Sequence, residues 1–167
     1  MADWPEASGR EPRTAASSEP GPERPRRAGW EDTPKWLAPR PTPEDSEYWE
    51  GARRGELRIQ HCTTCGMYQH YARMLCSHCG AQTLEWVTAS GAGTVYSFTV
   101  VRQNGVPPFN ERVPFVVACV DLDEPGARMI AAMPDCAPAD ARIDMRVRAT
   151  FRPATDEYGF VDFAPAG

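Results

Sequence analysis

The stretch "HCTTCGMYQHYARMLCSHCG", residues 61–80, carries four of the chain's six cysteines as two C-x-x-C pairs, with three histidines among them. Cys62 and Cys65 make one pair, Cys76 and Cys79 the other, with ten residues between. A C-x-x-C turn lets two sulfurs converge on one ion while backbone N–H groups point at the thiolates. Gly66 and Gly80 stand where such a knuckle takes a positive φ. Four soft thiolates satisfy a tetrahedral zinc, so the spacing predicts structural Zn2+ on Cys62, Cys65, Cys76 and Cys79. Iron, a redox dithiol and an array that binds nothing are the competing readings. A thioredoxin-like dithiol needs one C-x-x-C at a helix start in a βαβ setting, and a catalytic zinc keeps one coordination position open. His61 precedes the first knuckle and His78 lies inside the second, so both read as surface or supporting groups rather than ligands. Cys119 and Cys136 stand singly and read as small buried hydrophobes.

Downstream of this stretch the pattern turns to β. Runs rich in Val, Phe, Tyr, Thr and Ile recur at residues 94–102, 115–122, 127–134, 145–152 and 159–165. Alternation is clearest in "MRVRATF", where Met145, Val147, Ala149 and Phe151 are predicted to face inward and the arginines outward. Five short strands separated by Gly, Pro and Asp turns predict a small closed Greek-key barrel of the oligonucleotide/oligosaccharide-binding (OB) type over residues 87–167. The longest irregular connection is residues 103–114, with Phe109 in its exposed middle, and connections of that length are often functional.

Upstream, Thr42 is predicted to cap a helix with Pro43 at its first position, with acids in the first turn. Arg53 and Arg54 lie near its end and Gly55 stops it. Tyr48, Trp49 and Ala52 form its small apolar stripe. The organisation expected is a helical segment at 44–58, a ribbon at 59–86 and the barrel at 87–167. Residues 1–43 hold nine of the seventeen prolines and a periodless mixture of Glu, Arg, Ser and Ala. They read as a disordered or extended tail, interrupted by Trp4, Trp30 and Trp36.

The formal net charge is −5, and from residue 44 onward acids outnumber bases 16 to 11, all the bases being arginine. That balance argues against nucleic acid, although ribbons and OB barrels both serve it, and a single-stranded nucleic-acid binder is the alternative function. No run approaches the roughly 20 apolar residues that span a bilayer. The N-terminus lacks the apolar segment of a secretory signal, so a cytoplasmic location is expected. No G-x-S-x-G, P-loop, dinucleotide fingerprint or H-E-x-x-H occurs, and no nucleophile stands with an evident base, so no catalytic residue is assigned.

Together, "YWEGARRGELRIQHCTTCG", "CSHCG", "LEWVTASGAGTVYSFTVV", "VPFVVACVDLDE", "RVRATF" and the closing "FAP" resemble the acyl-CoA-associated zinc-ribbon/OB-fold family over residues 44–165. The resemblance implies a mainly β chain: an N-terminal helix, a rubredoxin-like four-cysteine zinc ribbon and a five-stranded OB-fold barrel. It also implies a non-catalytic accessory subunit in a hetero-oligomer with a thiolase-fold aldolase or acyltransferase, or a MaoC-like hydratase, acting on acyl-CoA substrates in steroid or lipid side-chain metabolism. In that reading Tyr48, Trp49 and Phe109 are candidate partner anchors, and Arg73 and Arg102 candidate phosphate or carboxylate contacts. The chain departs from the family pattern at "HYARMLC", usually a proline-rich approach to the second knuckle, and at Asp144, usually glycine.

Overall fold

The computed structural model describes residues 39–103, 109–154 and 158–167. The predicted tail therefore lies outside the described residues up to position 38, as do Trp4, Trp30 and Trp36.

Asp45, not Thr42, stands at the start of the helix α1, Ser46–Arg54. Thr42 and Asp45 instead close a turn of their own: the Thr42 N–H and hydroxyl both donate to Asp45 Oδ1, and the Asp45 N–H donates to the Thr42 carbonyl at 3.1 Å. That turn uses the threonine the helix needed as a cap and delays the first helical residue to Ser46. The far end follows expectation. Gly55 adopts φ 82°, its N–H reaches the Ala52 carbonyl, and the Glu56 N–H reaches the Gly51 carbonyl. This paired closure satisfies the terminal carbonyls and favours glycine at the left-handed position.

Arg58 already belongs to β1 (Arg58–Cys62), which with β2 (Tyr68–Gln69) and β3 (Leu84–Thr88) makes an antiparallel sheet in the order β2-β1-β3. This sheet carries the cysteine knuckles on its loops. The barrel is a second antiparallel sheet of β4 (Ala92–Val101), β5 (Phe115–Leu122), β6 (Arg128–Met133), β7 (Arg146–Pro153) and β8 (Gly159–Pro165), ordered β6-β5-β4-β7-β8. Its two end strands, β6 and β8, approach each other, which curls the sheet toward a barrel. A bulge between Val95 and Ser97 bends β4, a common device for curling a sheet.

The alternation does its predicted work. In β5, Val116, Ala118 and Val120 are fully buried and their neighbours are not. Met145, Val147 and Ala149 are buried, and Phe151 packs against the same core. Ala52 of α1 and Leu57 and Ile59 beside and within β1 join that core. Helix, ribbon and barrel therefore share one apolar interior rather than meeting at polar surfaces.

Two glycines set how closely the parts approach. Gly126, in the turn between β5 and β6 with φ 90°, leaves room for His78 and Met67 of the ribbon; a Cβ there would lie 2.8 Å from His78 Nε2 and from Met67 Cε. The Tyr68 N–H donates to the Pro125 carbonyl at 2.9 Å beside it. Gly159 does the same for α1. At residue 144, where the resemblance led to the expectation of glycine, Asp144 adopts φ 62°. Its N–H donates to the Val95 carbonyl, and the Val95 N–H donates to the Met145 carbonyl, each at 2.9 Å. The left-handed turn is kept, and aspartate is among the few side chains that tolerate it.

Candidate metal centre and the adjoining cleft

The two knuckles are built alike. The Cys62 N–H donates to the Met67 carbonyl at 2.9 Å, and the Gly66 N–H returns to the Cys62 carbonyl at 2.8 Å. In the second knuckle the Cys76 N–H donates to the Ala81 carbonyl at 2.8 Å, and the Gly80 N–H to the Cys76 carbonyl at 2.9 Å. Each turn closes on the expected glycine, Gly66 at φ 74° and Gly80 at φ 76°.

These turns bring all four sulfurs within 4.8 Å of one another. Cys62 Sγ lies 3.7 Å from Cys79 Sγ, and Cys65 Sγ 3.7 Å from Cys76 Sγ. A tetrahedron of Zn–S bonds of about 2.3 Å has edges of about 3.8 Å, so the spacing fits the ion. The first cysteine of each pair is buried and the second faces solvent. The Cys65 backbone N–H aimed at Cys62 lowers that thiol to about 6. Cys65 is pushed the other way, to about 12: the Met67 N–H favours its thiolate, but desolvation and the other sulfurs outweigh that help. Four thiols this close cannot all ionise against one another, and a dication removes the conflict. The donor set is that of structural zinc. When bound, the ion supplies cross-linking of the two knuckles, and four thiolates leave it no open position for water or substrate.

The histidines stand aside from this cluster. His61 Nδ1 pairs with Glu85 Oε1 at 2.8 Å and its ring lies against Tyr68, while His78 Nε2 is 3.3 Å from the Tyr68 carbonyl. His70 lies farther off, its ring centroid 4.9 Å from that of Tyr48, and burial lowers its pKa to about 4.

Between the knuckles, residues 70–77 are held by two buried glutamines that the sequence reading did not single out. Gln60 Oε1 accepts from the Arg73 N–H at 2.9 Å, and Gln60 Nε2 donates to the Arg73 carbonyl at 3.1 Å. Gln69 Nε2 donates to Gln60 Oε1 at 2.7 Å, and Gln69 Oε1 accepts from the Ser77 N–H at 2.7 Å. Satisfied buried amides of this kind fix a loop in one shape.

Beside the loop, α1, the ribbon and the barrel enclose a cleft of about 340 Å³. Tyr48, Trp49, His70, Tyr71, Ile130 and Phe160 line it, with Asp45, Arg152 and Asp162 as its charged groups. Trp49 Nε1 donates to Asp45 Oδ2 at 3.0 Å. Burial opposes ionisation of Asp45, but hydrogen bonds from the Thr42 backbone, the Trp49 indole and the Thr42 hydroxyl outweigh it and hold the carboxyl below its ordinary range. Asp162, almost fully buried, is paired with Arg152 Nε, and the Arg152 guanidinium lies 5.3 Å from the centre of the Phe160 ring. Burial, with the Tyr71 and Asp162 charges adding to it, keeps the Tyr48 hydroxyl protonated well above its usual range.

The contact candidates divide. Tyr48 and Trp49 line this cleft and Arg73 is exposed on the loop beside it. Arg102 and Phe109 lie elsewhere. Arg102 borders a separate cleft of about 840 Å³ with Arg112, Phe115, Met133 and Cys136. Phe109 opens a 3₁₀ turn, Phe109–Glu111, half-buried with the Arg112 guanidinium 5.9 Å from its ring centre. On the barrel surface, Arg128 forks onto Asp121 and stacks on Tyr96 at 3.6 Å, and Arg146 forks onto Asp123 at 2.7 and 2.8 Å. These arginines are matched by local carboxylates, which leaves them poor phosphate ligands.

Comparison with known proteins matches these two units. Residues 49–85 fit the family model for the ChsH2 rubredoxin-like zinc ribbon domain, and residues 86–152 that for the ChsH2 C-terminal OB-fold domain. A DUF35 domain-containing scaffold protein of Methanothermobacter thermautotrophicus is 32% identical over 116 residues, 65% of this chain and 86% of the relative. The chain belongs to the DUF35 family. Within it, a solved structure described as Ltp2-ChsH2(DUF35) aldolase contains a chain that superimposes with a TM-score of 0.68 at 32% identity, covering 78% of this chain and all of that one. A probable enoyl-CoA hydratase alpha subunit of Thermomonospora curvata is 36% identical over 138 residues, 81% of this chain. The DUF35 chain spans only 42% of that relative's length.

Proposed function

We propose that this DUF35 chain is a non-catalytic accessory subunit that binds and supports a thiolase-like enzyme, an aldolase or acyltransferase, acting on acyl-CoA substrates in the cytoplasm, with steroid or lipid side chains as the substrate class. The observation that carries this is the closed thiolate shell. The strongest chemical group in the fold is built to hold the chain together and has no position left for a reacting ligand. A fold that concentrates its chemistry in a staple serves as a platform, and the likeness to a chain of a two-component aldolase supports a catalytic partner for it. The aromatic cleft, with Tyr48 and Trp49 on its wall, is the surface that shapes or covers the partner's acyl channel; Arg102 at the other cleft and Phe109, beside Arg112, form a second contact. Helix, ribbon and barrel act as one rigid piece because they share a core.

The test is co-expression with a thiolase-fold aldolase or acyltransferase subunit from the same organism, followed by size-exclusion chromatography and assay of the partner on acyl-CoA substrates. A stable complex with activity exceeding that of the partner alone is expected. A partner fully soluble and fully active alone overturns the reading.

A further inference from the structure

The cleft between α1, the ribbon and the barrel leaves apolar groups in water. Tyr71 is 57% exposed and Ile130 58% exposed, although both belong to its walls. At about 340 Å³ the cleft stands at the small end of ligand pockets, a space for one large ring rather than for a helix or a strand. A ring of that kind lies within reach in this chain's own sequence. The described residues begin at Pro39, and Asp45 is part of the cleft wall. The turn from Thr42 to Asp45 reverses the chain there, so the residues before Thr42 depart from the cleft's rim. Arg40 to Glu44 are exposed, yet Pro39 is again partly buried.

Three residues before Pro39 stands Trp36, followed by Leu37. Nine residues separate Trp36 from Asp45, a span that extends to roughly 30 Å, ample for a cleft that Asp45 itself lines. Pro39, Pro41 and Pro43 stiffen this span, so that docking costs it less conformational freedom than it would cost a glycine-rich linker. So short a tether also gives the indole a local concentration in the millimolar range, and a weak contact is then enough to fill the site. The charges agree. Lys35, the chain's only lysine, stands next to Trp36. Asp45 is held by hydrogen bonds from Thr42 and Trp49, whereas Asp162, the other carboxylate of the cleft, is already paired with Arg152.

We propose that Trp36 docks into the aromatic cleft of its own chain, its indole against Tyr71 and Ile130 and Lys35 beside the Asp45 carboxylate, so that residues 35–41 form a strap across the cleft. Trp30 and Trp4 are poorer occupants, because the effective concentration of a tethered group falls with the length of the tether. The strap goes beyond the accessory-subunit reading and does not depend on it. Where that reading holds, a partner that takes the cleft must first displace Trp36.

The test uses the full zinc-loaded chain labelled at the isoleucine δ1 methyls. The chain has three isoleucines: Ile59 in the core, Ile130 in the cleft and Ile143 exposed outside its lining. Nuclear Overhauser contacts are expected between the Ile130 methyl and the Trp36 indole, independent of protein concentration. Trp36→Ala should abolish them and shift the Ile130 methyl while leaving those of Ile59 and Ile143 in place, and Trp30→Ala should change none of the three. An Ile130 methyl with the same shift in wild type and Trp36→Ala overturns the strap and leaves the accessory role to its own co-expression test. Contacts that vanish with Trp30→Ala instead, or that pass only between separately labelled chains, overturn the choice of occupant.

Discussion

Gly159 at the start of β8 lies directly on the backbone of Ala52 in α1: a Cβ on Gly159 would sit 2.8 Å from the Ala52 carbonyl oxygen and 2.9 Å from the Arg53 nitrogen. Both atoms belong to main chain, so neither can turn aside. Gly159→Ala is therefore expected to push α1 off the barrel and cost about 1–3 kcal/mol. Thermal unfolding should show a fall of roughly 2–12 °C, at about 2–4 °C per kcal/mol for a chain of this size. An unchanged melting temperature would show that the helix does not depend on this crossing.

Gly126 makes the corresponding approach between barrel and ribbon, with the added requirement of φ 90°. Gly126→Ala should strain the turn and displace His78 and Met67, loosening the second knuckle. The expected readout is faster transfer of zinc to a chromogenic chelator, together with a loss of about 1–2 kcal/mol in stability. Equal transfer rates would separate the ribbon's integrity from its seat on the barrel.

Cys76 is a buried member of the sulfur cluster. Cys76→Ser should abolish stoichiometric zinc, measured by elemental analysis, and unfold the ribbon, because metal affinity is folding free energy in such modules. The same binding should fail as pH falls, since each thiolate must release the metal to take a proton. Retained metal in the serine variant would point to a ligand outside the four cysteines.

His70 is held neutral by burial, its pKa lowered to about 4. The unfolded chain takes up this proton near 6.5, whereas the folded chain resists until about 4. Its neutral burial is thus fully tolerated above about pH 6.5, and stability is lost as pH falls from there through 4, by about 1–3 kcal/mol. Urea unfolding of His70→Phe against wild type should show a shallower loss over that window. Parallel curves would mean that the imidazole is hydrated.

Asp144 occupies φ 62° on an exposed turn. Asp144→Gly is expected to relieve the left-handed strain and to raise stability by up to about 1 kcal/mol, less what glycine adds to the freedom of the unfolded chain. Differential calorimetry reads the sign directly.

Much of this was legible in residue order because the signals were local. The cysteine spacing and its two glycines specify the knuckles within five residues each, and strands from 115 onward announce themselves by alternation. Asp144 was marked as standing in a glycine's place only by the family resemblance, and the structure supplies the reason, a left-handed φ of 62°. What escaped was what depends on pairing across the fold. Thr42 looked like a cap until its neighbour Asp45 took its hydrogen bonds. Gln60 and Gln69 read as ordinary strand polars, since only the register that sets them opposite each other shows their joint role. Asp162 sat inside an apolar run with no partner in view. Arg152 pairs with Phe160 in the register of β7 and β8, which puts the carboxylate one diagonal step away. Tyr48 and Phe109 look alike as aromatic anchors in the sequence, yet Tyr48 lines the aromatic cleft while Phe109 sits in a 3₁₀ turn away from it.

The seat of α1 on β8 also bears on when the protein becomes whole. Nine residues are too few to hold a helix by themselves, and the strands that cover this one, β7 and β8, are made well after it. The helix thus leaves the ribosome long before its seat exists, and until then the aromatic face of Tyr48 and Trp49 has no floor beneath it. Assembly with any partner that reads this face must wait for β8.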